Sequence, residues 1–432
     1  MTPAPMSPDM ARYTRRLIIL FGLVYFSQGI GQHVGLVYRP LQFYFKEELG
    51  LNPAQVTEYL AVLTIPWMIK PLYGLVTDFI PLAGFRRKSW LLLANTLATI
   101  GLLWLAGQTS PAGIVTALLI TAIGTAASDV IIDAIMVESG KRTGLTARFQ
   151  SVQWLWINIA SIFSHLIGGQ LAANFKPGTA LHIAAVMTLV APVAVMVTSW
   201  LIVREERSTL ALGEMRETAG NLVEAFKSRT LWLVIAFLGF WNFSPSFGTP
   251  WYYHQTDTLK FSQDFIGVLG AVASAGAVLG SFAYWQLFSK LPLRRQLVMA
   301  IAAGTVGTLL YALLLTPSAI TTYLAVGIDF LLGAVSMVAL LATLTLAAQA
   351  CPPKSEGFTF AALMSVLNGF TQLSAIIGAR LYTDVFDKRM LPLIIISAAF
   401  TAACFLLLPL LRSLDIDSTP GVAKPAEATA HS

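Results

Sequence analysis

Twelve apolar runs, each near 20 residues, set the limits on what this chain can fold into. They fall at about 17–38, 54–77, 89–107, 112–136, 149–173, 180–203, 230–252, 263–287, 297–315, 320–347, 357–381 and 391–411. A helix of roughly 20 residues covers the ~30 Å hydrocarbon layer of a bilayer. Lipid offers backbone amides no partner, so runs of that length cross it as helices. The side-chain balance agrees. Hydrophobic residues make up 56% and charged residues 12%, where a soluble domain carries about 25% charge. The expectation is an all-α, multi-pass membrane protein with twelve transmembrane helices, solvated mainly by membrane lipids.

Basic residues sort by side. Of the 28, twenty lie before the first run, in alternate loops and in the tail, among them Arg12, Arg86, Arg87, Lys88, Arg142, Arg204, Arg295, Lys354 and Lys424. Seven lie on the other side (Arg39, Lys46, Lys176, Lys260, Arg380, Lys388 and Arg389), and Lys70 falls inside a run. The positive-inside rule therefore places both termini in the cytoplasm. The net charge of +6 is a topology signal and does not imply nucleic acid. No signal or transit peptide precedes Leu17, so the first helix is expected to direct insertion. The short bacterial-type N-terminus favours a bacterial inner membrane. Cys351 and Cys404 make no metal or disulfide pattern.

The longest hydrophilic connection, 204–229, divides the runs six and six. Its charges have helix-like spacing, which predicts an interfacial helix. A shift of 210 residues lays Asn158, Ser164 and Gly168 on Asn368, Ser374 and Gly378, and a shift of 208 lays Arg86-Arg87 on Arg294-Arg295. Two pseudo-symmetric six-helix bundles follow, 1–203 and 230–411, with a cytoplasmic linker at 204–229 and a flexible tail at 412–432. Bundles related in this way are a transporter architecture, with substrate held between them near the midplane.

Ionisable groups inside the membrane are expensive and so point to function. Asp129 and Asp133 are four residues apart, on one face of the fourth helix. Two carboxylates crowded in a poorly solvated cavity repel each other, and a proton on one relieves the repulsion. Asp129, the deeper, is the leading proton-coupling candidate, followed by Asp133 and Asp329. Lys70 reads equally as snorkelling to the cytoplasm or as pairing with a carboxylate or an anionic substrate. Polar stripes on three helices suggest a central cavity: Tyr25, Gln28, Gln32 and Arg39; Gln153, Trp154 and Ser161, with Asn158 at the edge; and Ser365, Asn368 and Gln372. Single amides in membranes also glue helices together. The broken stretch containing Trp241 and Asn242 offers a flat aromatic wall for a planar heteroaromatic ligand. Arg380, at the outer end of the eleventh helix, either attracts an anion or anchors the helix. His33, His165, His182 and His254 are dispersed. There is no Walker loop, nucleophile elbow or zinc motif, so neither an enzyme nor a metal or cofactor site is expected.

The elbow PWMIKPLYGLVTDFIPLAGFRRKSW places Gly74, Asp78, Arg86, Arg87 and Lys88 between two spans. Together with Glu138 it reads as a conformational latch. This elbow, SDVIIDAIMVESG in the fourth helix and EGFTFAALMSVLNGFTQLSAIIGA in the eleventh resemble the folate–biopterin transporter family of the major facilitator superfamily. The resemblance runs from the first helix to the twelfth. Carried over by position, it places the elbow on Gly74, Asp78, Arg86 and Arg87 and the helix acids on Asp129 and Asp133. Thr77 stands where the family commonly has serine. The resemblance implies transport of folate- or pterin-like substrates, driven by a proton gradient through alternating access. Neighbouring families of siderophore importers and muropeptide permeases share an elbow of this general kind. Carriers of this superfamily commonly act as monomers, and nothing in the chain demands a dimer.

Overall fold

Helices carry the whole architecture in a computed structural model that describes residues 8–32, 34–143, 145–351 and 356–413. His33, Lys354 and 414–432 of the expected tail lie outside them. The helices are α1 (Pro8–Gly31), α2 (Tyr38–Phe43), α3 (Pro53–Val62), α4 (Ile65–Met68), α5 (Lys70–Phe79), α6 (Lys88–Leu105), α7 (Pro111–Thr143), α8 (Thr146–Asn174) and α9 (Pro177–Thr188). They continue as α10 (Val190–Ile202), α11 (Leu212–Ala225), α12 (Arg229–Asn242), α13 (Gly248–Asp257), α14 (Gln263–Gln286), α15 (Leu293–Leu310), α16 (Thr321–Gln349), α17 (Glu356–Arg380) and α18 (Met390–Leu407). Among the described residues, nine spans are long and apolar enough to cross a membrane. The other three expected spans fall on α1 and on two broken stretches. Pro66 and Pro71 divide 54–77 into α3, α4 and α5, because proline removes an amide donor and crowds the preceding turn. The stretch 230–252 breaks after Asn242, around Pro245, and restarts at Gly248. The first run stops at Gly31 and not at residue 38, whereas the fourth continues to Thr143.

Large apolar side chains stand at the surface. Leu201, Trp285 and Leu406 are all more than 60% exposed, which suits a hydrocarbon surround. Inside, Leu17, Phe21, Ile131 and Phe149 form one apolar cluster. Leu36, Leu102, Ile114 and Leu181 form another, joined by Tyr252 and Ile266 from later in the chain. Leu231, Leu297, Leu346 and Leu363 form a third. Leu314, Ile328 and Leu393 belong to a fourth.

The internal repeat has a physical counterpart. Ser164 of α8 donates to the Gly29 carbonyl of α1 at 3.0 Å. Its counterpart Ser374 of α17 donates to the Ser244 carbonyl just beyond α12. A methyl group at Gly168 would stand 3.1 Å from the Leu36 carbonyl oxygen, and one at Gly378 would stand closer still to that of Ser246. Both glycines therefore serve close backbone approach. The two serines, the two glycines and the glycines' partners Leu36 and Ser246 each stand 210 residues apart.

Candidate functional site

The break in the second span brings Lys70 against α7. Its Nζ donates to Asp129 Oδ2 at 2.6 Å, with side chains 18% and 9% exposed. The ammonium also lies 4.7 Å from the centre of the Trp67 ring. Of the two readings of Lys70, the structure shows the ion pair. One turn along α7, Asp133 accepts from the Tyr25 hydroxyl of α1 and, at 3.5 Å, from the Gln153 amide of α8. Two carboxylates thus face one ammonium where four helices meet. A proton on Asp129 removes the charge that holds Lys70; a proton on Asp133 lowers the repulsion between the acids.

A separate cavity of about 520 Å³ lies farther from the elbow. It is lined by α2, α8, α13, α14 and α16 and by Tyr311, just past α15. Arg39 enters it from α2. Gln42 accepts from the Arg39 guanidinium at 3.0 Å and donates to Tyr38 at 3.1 Å, which fixes the orientation of the arginine. The guanidinium carbon lies 5.7 Å from the centre of the Tyr38 ring and 5.8 Å from that of Tyr252. Its buried Nε has no hydrogen-bond partner among the described residues. Asp329 of α16 lines the same cavity and accepts from the Tyr311 hydroxyl at 3.0 Å. Trp251 packs edge-on against Tyr311, with ring centres 4.8 Å apart. The lining is thus flat rings with one cation and one carboxylate, as expected for a ligand that is aromatic and charged.

Of the residues nominated from sequence, Asn158 and Asp329 line this cavity. Trp154 is half-buried on α8, and its carbonyl accepts from Asn158. Gln28 is 4% exposed and lines a different, water-sized void with Ser27, Asn95, Thr121, Thr125 and Ser128; neither amide atom has a partner there among the described residues. Gln32 sits at the bend after α1. Trp241 packs beside Phe237, and Asn242 donates to the Leu238 carbonyl and accepts from Thr371. Asn368 and Gln372 tie α17 to the broken second span, through the Trp67 carbonyl at 3.3 Å and the Thr64 hydroxyl at 2.9 Å. Arg380 pairs with Glu58 of α3 and with Asp384.

The elbow residues gather at one end of the fold. Arg87 bridges Asp78 and Glu138, Arg86 donates to the Asp78 carbonyl at 3.3 Å, and Lys88 donates to the Trp200 carbonyl at 2.9 Å. Ala83 and Gly84 both take positive φ, which closes the turn between Leu82 and Phe85. Gly74 faces Val130 of α7 and Phe358 of α17. Glu205 completes the cluster by accepting from the backbone amides of Arg86, Arg87 and Lys88 at 2.7–3.0 Å, which caps α6. Sequence reading missed Glu205, along with the cavity's Tyr252, Trp251, Tyr311 and His165. Arg39 was legible as the last member of the first polar stripe, and of that stripe it alone lines this cavity.

Broken helices around a polar cavity, with paired serines and glycines repeated 210 residues apart, define a membrane transporter of the major facilitator fold. The nucleoside transporter NupG has that fold: its crystal structure superposes with a TM-score of 0.70 at 15% identity, covering 92% of this chain and 99% of that one. The chain belongs to the BT1 family, whose model matches residues 28–419. It is 30% identical over 369 residues to the folate-biopterin transporter of Synechocystis sp., covering 83% of this chain and 73% of the relative. The probable folate-biopterin transporter 4 of Arabidopsis thaliana is 24% identical, with 83% and 87% covered.

Proposed function

We propose that this chain carries folate- or pterin-type compounds across the membrane by alternating access, in symport with protons. The observation that carries this reading is the cavity of about 520 Å³ with rings, one guanidinium and one carboxylate in its lining. Pockets of about 300–1,000 Å³ suit ligands of this size. The names of the relatives point to the same substrates. Residues 1–203 and 230–411 act as the two moving bundles, joined by 204–229, with 412–432 as a tail. On the positive-inside pattern we read both termini as cytoplasmic, the membrane as a bacterial inner membrane, and a single chain as the working unit.

Coupling belongs to the Lys70–Asp129–Asp133 cluster. Protonation of Asp129 frees Lys70 and loosens the junction of α5 with α7. Movement of the bundles then delivers the proton to the other side with the substrate. The test is uptake of labelled folic acid into proteoliposomes, with and without an inward proton gradient. The intact chain is expected to accumulate folic acid only with the gradient. Asp129→Asn is expected to equilibrate folic acid without accumulating it. A folded preparation that takes up no folic acid would contradict the substrate, and gradient-driven accumulation by Asp129→Asn would contradict the coupling residue.

A further inference from the structure

Resting on the folate–pterin reading above, we infer that the cavity recognises its ligand at two separable points: Asp329 reads the amino-pyrimidinone edge of the pterin ring, and Arg39 holds the anionic tail. The two residues come from α16 and α2 and line one cavity. Each already has its surroundings prepared.

Asp329 lies beside an aromatic cluster. Tyr311 donates to its Oδ1 at 3.0 Å, and Tyr311 packs edge-on against Trp251. A carboxylate has about four acceptor positions, so one tyrosine leaves both oxygens able to accept more. Among the described residues no lysine or arginine forms a direct ion pair with it, although the charge of Arg39 acts on it across the cavity. The pterin ring presents an exocyclic amino group beside a ring N–H, two parallel donors that match two carboxylate oxygens. A flat ring lying against Trp251 or Tyr311 would bring that edge to Asp329. Rings that present an acceptor at this edge meet the carboxylate unfavourably, which gives selectivity by a mismatched buried group.

Arg39 is prepared for an anion. Gln42 fixes one end of its guanidinium, Tyr38 and Tyr252 flank it, and its buried Nε is without a partner among the described residues. Guanidinium groups take carboxylates in a two-point fork. The glutamate tail of a folate supplies that group; biopterin lacks it. The site therefore binds both compounds through the ring and adds affinity for folates through the tail.

Equilibrium binding to the purified full chain, with folic acid, biopterin and p-aminobenzoylglutamate as probes, tests this. Asp329→Asn is expected to weaken folic acid and biopterin by roughly 10- to 100-fold, the usual loss for hydrogen bonds to a charged group. Binding of p-aminobenzoylglutamate should then change less than threefold. Arg39→Gln is expected to do the reverse, weakening folic acid and p-aminobenzoylglutamate while biopterin changes less than threefold. The retained probe shows in each case that the variant is folded. Equal losses of all three probes, or no loss, would overturn the two-point assignment while leaving the substrate reading intact. An intact chain that binds none of the three would overturn both.

Discussion

At Lys70 and Asp129 a buried ammonium and a buried carboxylate stand 2.6 Å apart; Asp133 also faces the ammonium, whereas among the described residues Lys70 is the cation bonded to these acids. Removing one partner of a buried pair costs about 3 kcal/mol or more, because the other charge stays behind without compensation. Lys70→Met is therefore expected to lower the thermal stability of the purified chain markedly. Adding Asp129→Asn should restore most of that stability, since both charges are then gone. Uptake by the double variant should nonetheless remain insensitive to a proton gradient. Thermal unfolding in detergent, paired with transport, separates the two effects. If the double variant regained gradient-driven accumulation, the pair would be only a helix clamp. The sequence made these acids legible because four-residue spacing is local geometry. The Tyr25 partner of Asp133, 108 positions away, was visible only as a member of a polar stripe.

At the scale of elements, two ion pairs join the early and late parts of the chain at the end away from the elbow: Lys46 with Asp257 at 2.7 Å, and Glu58 of α3 with Arg380 of α17. Tyr253 of α13 adds a hydrogen bond to the Leu51 carbonyl there. The Arg87–Asp78–Glu138 cluster instead ties α5, the start of α6 and α7 together. In the alternating-access cycle proposed above, opening the far end would part the Glu58–Arg380 contact. Glu58→Arg is expected to slow folic acid uptake several-fold, and the swap Glu58→Arg with Arg380→Glu to recover much of the rate. Equal uptake by all three proteins would show that the contact does not gate the cycle. The position of Arg380 at a helix end was readable from sequence, but its partner was not, because Glu58 lies 322 positions earlier. The aromatic wall was misplaced for a related reason. The broken stretch was read as offering Trp241 and Asn242, but the cavity wall is built after the break, where the helix restarts at Gly248 and carries Trp251 and Tyr252.

For the molecule as a whole, class and repeat were legible because they rest on properties of single segments. Run length gives membrane spans, and a shift of 210 residues gives the repeat that Ser164 and Ser374 express as paired contacts. The cavity was less legible. Arg39 and Asp329 reach it from distant parts of the sequence, and Tyr252 and Trp251 enter only after a helix break. In the proposed cycle, substrate held in the cavity moves together with a proton carried by the α7 acids. The most direct measurement is the lumenal pH of proteoliposomes loaded with a pH-sensitive dye, given an inward folic acid gradient and no initial pH difference. The intact chain is expected to acidify the lumen as folic acid enters, and Asp129→Asn to admit folic acid without acidification. Folic acid entry through the intact chain with no change in lumenal pH would contradict the account.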